Sequence, residues 1–328
     1  MNKPYVFITM RLPEEIVQLL EETAQVGMWG EETPCPREKL LAEAEKAQGL
    51  LTMLTDAIDR EVLLRGKGLQ IVANMAVGYD NIDVETATRA GIMVTNTPDV
   101  LTEATADLTF ALMMATARRL IEASQVLYAG QWKSWSPFFM AGQDVYGKKL
   151  GIVGMGRIGE AVARRAKGFD MTIYYFNRRR RREAEERLGA VYLPFDELLQ
   201  QSDFIVSLVP LTPETRRLFG RREFQLMKKT AIFINASRGA VVDEEALYEA
   251  LKEKRIWAAG LDVFEKEPIP PDHPLLTLPN LVPLPHIGSA SISTRMAMAR
   301  LAAENILLAL KGEKPKTLVN PAVWQNKK

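Results

Sequence analysis

Short apolar runs alternate with amphipathic helical segments along the first part of the chain. The runs that predict strands lie at residues 5–9, 50–54, 69–73 and 92–96, and the segment 13–24, which opens with Pro13, predicts a helix. Strands that are separated by helices usually form a parallel sheet. This part of the chain is therefore predicted to form an α/β domain.

A long helical pattern at 102–128 follows Pro98-Asp99 and stops before Gly130, which predicts one helix joining two halves of the chain. After a loop at 131–149, apolar runs predict further strands at 150–153, 172–176, 204–209, 231–235, 258–263 and 281–284. These runs predict a second doubly wound parallel sheet. The last helical pattern, 291–310, has no strand after it, so we expect it to pack back on the first domain.

A glycine motif stands where the second alternation begins. The apolar run 150–153 ends in Gly154-x-Gly156-x-x-Gly159 and continues into a segment with helical spacing. In such a turn the first glycine permits a tight bend, the second lets the backbone approach a pyrophosphate, and the third lets helix and strand pack closely. The motif predicts a dinucleotide site, and the alternative is an ordinary glycine-rich turn.

Composition and charge exclude several classes of ligand and binding partner. The 328 residues hold 42 Lys and Arg against 41 Asp and Glu, so the net charge of +1 gives no field that would attract nucleic acid or an anionic membrane. Cys35 is the only cysteine, which excludes an internal disulfide and a cysteine-rich metal site, and no metal is predicted. The apolar run 108–117 is too short to span a bilayer, and the N-terminal residues lack the apolar segment of a signal peptide. A cytoplasmic location is expected.

Polar residues stand at the ends of the predicted strands, where an open parallel sheet binds ligands. His286 follows Pro283-Leu284-Pro285, and an imidazole can give and take a proton near neutral pH. Arg238 can hold a carboxylate with its planar fork, and Glu267 could pair with His286 and stabilise its protonated form. The alternatives are a histidine bonded to loop backbone, which we also expect of His273, and two surface charges.

Four motifs in order resemble those of the D-isomer-specific 2-hydroxyacid dehydrogenases, and the resemblance covers essentially the whole chain. The motifs are Gly154-Met155-Gly156-Arg157-Ile158-Gly159, Asn235-Ala236-Ser237-Arg238-Gly239, Gly260-Leu261-Asp262-Val263-Phe264-Glu265-Lys266-Glu267-Pro268 and Pro285-His286-Ile287-Gly288-Ser289-Ala290. The resemblance implies a Rossmann cofactor domain, 99–289, inserted in a flavodoxin-like substrate domain formed by 1–98 and 290–328.

The resemblance also implies residue roles. Arg238 would bind the 2-oxo acid, Glu267 would support the histidine, and His286 would be the acid/base. The backbone at Val77-Gly78 would receive the substrate carboxylate, and Asp262 would hold the nicotinamide carboxamide. The full set implied to bind cofactor is Thr105, Gly154, Gly156, Arg157, Ile158, Gly159, Asn177, Arg178, Arg179, Pro210, Ala236, Asp262 and Gly288.

Within that family, residues 130–137 are most similar to glyoxylate/hydroxypyruvate reductases. There, a tryptophan that matches Trp135 reaches the active site of the partner subunit, which implies a homodimer. An aromatic anchor in the dimer arm is the alternative for Trp135, and both roles can hold together.

The residue after the second strand of the cofactor domain predicts which nucleotide is preferred. An NAD site would have Asp or Glu there, whereas this chain has Asn177 followed by five arginines, 178–182. Arginine favours a ribose 2′-phosphate by charge and by fork geometry. NADPH is therefore predicted, with Arg178 and Arg179 as contacts and acceptance of NADH left open. The alternative is a solvated helix start in which Glu183, Glu185 and Glu186 pair with the arginines.

The function predicted from the whole pattern is an NADPH-preferring reductase that converts glyoxylate to glycolate and hydroxypyruvate to D-glycerate. One alternative keeps the chemistry but takes a longer 2-keto sugar acid such as 2-ketogluconate, because the motifs leave the distal pocket open. The other is a non-catalytic, cofactor-sensing binding protein of the same fold.

Overall fold

The computed structural model describes residues 3–325, which form two compact α/β units. Unit 1 comprises the chain up to Leu101 and again from Ser291, and unit 2 is the continuous stretch Thr102–Ala290. The outermost residues of the predicted substrate domain, 1–2 and 326–328, lie outside the described residues. None of the helices within 3–325 has both the length and the apolar character needed to cross a membrane.

Each unit is built on a parallel sheet. Unit 1 has five strands in the order β2-β1-β3-β4-β5, which is the flavodoxin-like order. They are β1 (Tyr5–Ile8), β2 (Gln25–Met28), β3 (Gly49–Thr52), β4 (Ile71–Asn74) and β5 (Met93–Thr95).

Unit 2 has seven strands in the order β12-β11-β10-β9-β6-β7-β8, also all parallel. They are β6 (Lys149–Val153), β7 (Thr172–Phe176), β8 (Val191–Tyr192), β9 (Phe204–Ser207), β10 (Ile232–Asn235), β11 (Ala258–Leu261) and β12 (Leu281–Pro283). The chain reverses its direction of sheet growth between β6 and β9, as in a Rossmann fold. The predicted fold class is confirmed.

Helices connect the strands and cover both faces of each sheet. In chain order they are α1 (Glu14–Glu21), α2 (Arg37–Ala44), α3 (Arg60–Arg65), α4 (Val84–Arg89), α5 (Thr102–Ala117), α6 (Leu120–Tyr128), α7 (Arg157–Lys167), α8 (Arg182–Leu188), α9 (Phe195–Gln201), α10 (Arg221–Leu226), α11 (Glu244–Lys252), α12 (Ile292–Leu310) and α13 (Ala322–Gln325). Aspartate side chains cap α3, α4 and α11, and Ser291 caps α12.

The sheet of unit 2 separates two apolar layers. Alternate residues of each strand face opposite ways, so Ile232 and Ile234 join the layer formed with α5 and α7, whereas Phe233 joins the layer formed with α9, α10 and α11. In unit 1, α12 packs on β3 and β4, as expected for the last helical pattern. The inner strands β3, β4, β9, β10 and β11 are buried on both faces, which explains why they read as continuous apolar runs.

The single helix predicted over 102–128 is wrong, because the structure has two helices there. The first, α5, ends at Ala117, whose carbonyl accepts a hydrogen bond from the Gln143 N–H at 2.9 Å. Arg119 then takes a left-handed conformation with φ of 53° before α6 begins. The returning segment packs so closely that a β-carbon at Gly142 would lie 2.2 Å from the Ala117 oxygen. A tertiary contact therefore ends the helix.

Candidate active site

Predicted site residues follow the carboxyl ends of six neighbouring strands in unit 2, all at one edge of the sheet. They are Gly154 after β6, Asn177 after β7, Pro210 beyond β9, Ala236 to Arg238 after β10, Asp262 after β11 and His286 beyond β12. Because the strands are parallel, these positions share one rim. The rim is where ligands bind in open parallel sheets.

The glycine motif forms an open turn at the start of α7. Gly154 has a φ of 105°, and a β-carbon there would lie 2.7 Å from the carbonyl carbon of Leu208. A β-carbon at Gly159 would lie 2.5 Å from the Gly154 oxygen, whereas one at Gly156 would meet no atom within 4 Å. The space beside Gly156 and the N-terminus of α7 fit a dinucleotide pyrophosphate.

Asn177 is bonded to this turn. Its Oδ1 accepts from the Met155 N–H at 2.7 Å, and its Nδ2 donates to the Met155 carbonyl at 3.2 Å. The amide thereby fixes the second strand end against the glycine loop. Both Arg157 and Ile158 lie in the first turn of α7, directly after the loop.

The five arginines after Asn177 differ in their partners. Arg180 pairs with Glu185 at 2.6 Å, and Arg181 pairs with Glu160 at 2.8 Å. Arg178 and Arg179 are exposed, and neither has an ion pair or a hydrogen bond within residues 3–325. The alternative considered from the sequence, pairing of the arginines with the glutamates of α8, is therefore found at Arg180. Arg178 and Arg179, which are nearest the strand end, remain available to bind a ligand.

His286 and Glu267 form a close pair of titratable groups at the rim. The Nδ1 atom of His286 lies 2.6 Å from Oε2 of Glu267, and about a quarter of each side chain is exposed. Burial raises the pKa of Glu267, but the hydrogen bond and charge of His286, the Phe264 N–H and the charge of Arg238 outweigh it, so the pKa lies below its ordinary value. Glu267 thus stays ionised against the imidazole.

The backbone of His286 is held in place by Asp262. His286 has a φ of 54°, in the left-handed region that few non-glycine residues adopt. The buried carboxylate of Asp262 accepts from the N–H groups of Ile287 and Gly288, both at 2.8 Å. Burial raises the pKa of Asp262 above its ordinary value, and these two N–H donors offset part of that rise. These two bonds fix the residues that follow the strained histidine.

Two other predicted cofactor residues surround Asp262. A β-carbon at Gly288 would lie 3.0 Å from the Asp262 carboxylate and 3.4 Å from the methyl group of Thr105, which α5 supplies. Ala236 follows β10 directly, and Pro210 lies beyond β9 at the same rim. All of the predicted cofactor residues therefore lie at the glycine turn or along this rim of unit 2.

Arg238 lies on a turn that Asn235 closes. The Nδ2 of Asn235 donates to the Arg238 carbonyl at 3.0 Å, and its Oδ1 accepts from both the N–H and the hydroxyl of Ser237. Gly239 follows, where a β-carbon would lie 1.8 Å from the carbonyl carbon of Phe264. The arginine turn and the loop that leads to Glu267 are therefore packed backbone to backbone.

In unit 1, Val77 and Gly78 lie on a loop that follows β4. The loop carbonyls are bonded: Ala76 accepts from the Thr97 N–H, Val77 from the Asn96 side chain and Gly78 from the Asn74 side chain, at 2.8, 2.8 and 2.9 Å. The N–H groups of Val77 and Gly78 have no protein acceptor within residues 3–325. Two unengaged N–H groups side by side suit a carboxylate.

Trp135 lies on an exposed apolar surface of unit 2. Its side chain is 78% exposed, and no residue of α6 is buried. We call this surface the arm; its large exposed apolar residues are Leu120, Ile121, Leu127, Tyr128, Trp132, Trp135, Phe138, Phe139 and Tyr146. Exposed apolar patches of this size are typical of interaction surfaces.

The sequence predicted no role for three asparagines: Asn74 and Asn96, which hold the Val77–Gly78 loop of unit 1, and Asn235, which holds the arginine turn of unit 2. Asn74 and Asn235 are the last residues of β4 and β10, and Asn96 follows β5 directly. Asparagine recurring at the ends of apolar strands was the available signal, because its amide can bond loop backbone as both donor and acceptor.

Comparisons with known proteins give a consistent result. A family model described as "D-isomer specific 2-hydroxyacid dehydrogenase, NAD binding domain" matches residues 110–288, within unit 2. The chain is 54% identical to the glyoxylate reductase of Thermococcus gammatolerans, over 99% of this chain and 98% of that protein.

Solved structures agree in fold. A protein from Thermus thermophilus is 46% identical with a TM-score of 0.90, covering 96% of this chain and 99% of that one. The NADPH-dependent glyoxylate/hydroxypyruvate reductase of Sinorhizobium meliloti, solved with NADP and malonate, is 33% identical with a TM-score of 0.86, covering 98% of both chains.

Proposed function

This chain belongs to the D-isomer-specific 2-hydroxyacid dehydrogenases, and from that premise we propose that it is an NADPH-preferring reductase of small 2-oxo acids. Glyoxylate would be reduced to glycolate and hydroxypyruvate to D-glycerate. The observation that carries the proposal is the bonded pair of His286 and Glu267, 2.6 Å apart, on the rim that also bears Arg238 and the glycine turn. Relatives named glyoxylate reductase support the choice of substrate.

His286 is the proton donor in this proposal. A reduced nicotinamide held at this rim would supply the hydride for the 2-carbonyl carbon, and the carbonyl oxygen would then need a proton. Because Nδ1 of His286 is engaged by Glu267, Nε2 is the nitrogen left to give that oxygen a proton. Glu267, kept ionised, stabilises the imidazolium before transfer and holds the ring in orientation.

Arg238 polarises and orients the substrate. Its guanidinium can bond the 2-oxo oxygen and a carboxylate oxygen together, which a lysine cannot do in the same geometry. The Asn235 amide and the close packing at Gly239 keep the arginine turn in one conformation. The N–H groups of Val77 and Gly78 would receive the substrate carboxylate.

Cofactor preference follows from the arginines. Asn177 stands where an NAD enzyme would carry a carboxylate, and Arg178 and Arg179 follow it directly. Neither arginine is held in an ion pair within the described chain. Their charges would bind a ribose 2′-phosphate. The NADP complex of the Sinorhizobium meliloti reductase supports a phosphorylated cofactor.

Single substitutions test this preference. Arg178→Ala and Arg179→Ala should each lower kcat/KM for NADPH about tenfold or more while kcat/KM for NADH changes little, since a charge-assisted bond to the phosphate is lost. Arg180→Ala is the matched control, because Arg180 is already paired with Glu185. A higher kcat/KM with NADH than with NADPH in the unmodified enzyme would contradict the assignment.

A kinetic panel tests the substrate. Glyoxylate, hydroxypyruvate, pyruvate and 2-ketogluconate would each be assayed with NADPH and with NADH. Glyoxylate and hydroxypyruvate should give the highest kcat/KM. A clear advantage for 2-ketogluconate would identify a sugar-acid reductase, and cofactor binding without turnover of any 2-oxo acid would identify a sensor.

We also propose that the enzyme is a cytoplasmic homodimer. The arm supports the dimer, because its exposed apolar side chains would be removed from water in the interface. Trp135 would then be an anchor in the interface and would line the partner's substrate pocket.

A further inference from the structure

The loop Ala76–Gly78 is braced by a hydrogen bond to each of its three carbonyls. In a planar trans peptide the C=O of one residue and the N–H of the next point in opposite directions. The Thr97 N–H holds the Ala76 carbonyl and so orients the Val77 N–H. The Asn96 Nδ2, bonded to the Val77 carbonyl at 2.8 Å, in the same way orients the Gly78 N–H.

Asn74 fixes the following peptide and ties the loop to the sheet. Its Nδ2 donates to the Gly78 carbonyl at 2.9 Å, and its Oδ1 accepts from the Thr52 hydroxyl at 3.1 Å. Asn81 continues this chain of bonds to the carbonyls of Met53 and Asp56, at 3.1 and 2.9 Å. Asn74 and Thr52 are fully buried and Asn81 is partly buried, so the loop rests on a largely buried polar network.

Asn96 is itself braced from the C-terminal part of unit 1. Its carbonyl accepts from the Thr317 hydroxyl at 2.6 Å, and that hydroxyl accepts from the buried Asn305 of α12 at 2.7 Å. The side chain that orients the Gly78 N–H is thus fixed through two further residues.

We propose that Asn96 and Asn74 are positioning residues for the substrate carboxylate, and that neither touches the substrate. Asn96 presets the Gly78 N–H through the Val77 carbonyl, and Asn74 ties the loop that carries the two N–H groups to the sheet. The inference rests on the proposed function, because it takes the substrate to be a 2-oxo acid. A loop that is already ordered loses little conformational entropy when the substrate binds. Removing the asparagine hydrogen bonds should therefore weaken carboxylate binding, whereas hydride and proton transfer should change little.

The test is Asn96→Ala in the full-length enzyme. The KM for glyoxylate should rise about tenfold, as expected for one lost positioning hydrogen bond, while kcat and the KM for NADPH stay within about threefold of their original values. Oxamate, a carboxylate that cannot be reduced, should bind the enzyme–NADPH complex more weakly by a similar factor in calorimetry. Asn74→Ala should act in the same direction with a larger loss of stability, because it also removes the partner of the Thr52 hydroxyl and of the Asn81 Oδ1.

Asn320→Ala is the matched control. Asn320 is a buried asparagine of the same unit whose amide bonds the Val94 N–H and the Ile92 carbonyl, away from the loop. It should lower the thermal midpoint and leave the KM for glyoxylate unchanged. If Asn96→Ala does not fold, Asn96→Ser replaces it, since its hydroxyl is one bond too short to reach the Val77 carbonyl.

Three results separate the outcomes. Unchanged KM and unchanged oxamate affinity in Asn96→Ala would overturn the positioning role, as would an equal rise of KM in Asn320→Ala. An unmodified enzyme that neither reduces any 2-oxo acid nor binds oxamate would instead overturn the proposed function.

Discussion

His286 combines a left-handed backbone, a carboxylate partner and a fixed following segment. A φ of 54° costs free energy in a residue with a β-carbon, and the Asp262 bonds to the next two N–H groups offset part of that cost. The imidazole is thereby held over the rim in one orientation. A proton donor needs this fixed geometry more than it needs burial.

Replacement of this histidine gives the sharpest prediction at the residue scale. His286→Ala should lower kcat by about 10²- to 10⁴-fold while the Kd for NADPH, measured by fluorescence, stays unchanged, because the proton is needed chiefly in the transition state. His273→Ala is the control: that side chain caps a short turn by accepting the Leu275 N–H at 3.3 Å. Near-original kcat in His286→Ala would mean that another group donates the proton.

The sequence was most informative about single residues with a distinct chemistry. Arg238, Glu267 and His286 follow successive strands, so parallel topology alone places them on one rim. The asparagines that hold the turns were not foreseen, because an amide bonds whichever backbone the tertiary fold brings near it. Asn96, for example, bonds Val77 across 19 residues of chain.

Among the helices and strands, local periodicity gave a wrong prediction where a distant segment of the chain packs against a helix. Residues 102–128 have helical spacing throughout, and the break at Arg119 depends on Gly142 and Gln143 packing against Ala117. Two short strands, β2 and β8, were also missed: β2 contains Gln25 and Gly27, and β8 has only two residues. Pairing with a neighbouring strand, rather than propensity, forms them.

Two glycines of the glycine turn should differ in what their replacement affects: Gly156 cofactor binding, and Gly159 the stability of the fold. Gly156→Ala should keep the thermal midpoint, since its β-carbon meets no protein atom, but should raise the Kd for NADPH about tenfold or more by filling the pyrophosphate space. Gly159→Ala should lower the midpoint, because its β-carbon would lie 2.5 Å from the Gly154 oxygen. Calorimetry and thermal melts of both variants check this, and equal NADPH affinity in Gly156→Ala would argue against the cradle.

An ion pair at the opposite ends of the unit 2 strands predicts a dependence on pH. Burial raises the pKa of Asp203, but the Lys228 ammonium at 2.7 Å and the Lys149 N–H at 2.9 Å outweigh it and lower the pKa. The folded pKa lies below the unfolded one, so the stabilisation is complete above the unfolded pKa, about 4, and is lost as pH falls through the folded pKa.

Asp203→Asn should therefore lower the free energy of unfolding by about 1–2 kcal/mol at neutral pH and remove this part of the acid dependence. Denaturant unfolding between about pH 3 and pH 7 measures it. Asp272→Asn, at an exposed loop position, should change neither quantity. If the free energy of unfolding of Asp203→Asn changed with pH in parallel with that of the unmodified protein, the ion pair would not contribute to the acid dependence of stability.

At the scale of the whole molecule, the arm predicts association. Leu127→Glu should shift the proposed dimer toward monomer, because it places a charge in an apolar interface, whereas Leu64→Glu on α3, an equally exposed leucine of unit 1, should not. Sedimentation equilibrium distinguishes the two. A monomeric unmodified protein with full activity would contradict the proposed dimer and the role of Trp135 in a partner's pocket.

Unit 1 is assembled from two distant stretches of chain, and this has a consequence for biosynthesis. The helix that covers β3 and β4 begins only after all of unit 2, and the side chain that bonds the β5 backbone is Asn320. On the ribosome, the β3 and β4 strands therefore lack the helix that covers them until the inserted unit has been translated. The last strands to be synthesised belong to unit 2, and unit 1 is completed only by the helices α12 and α13 that follow them.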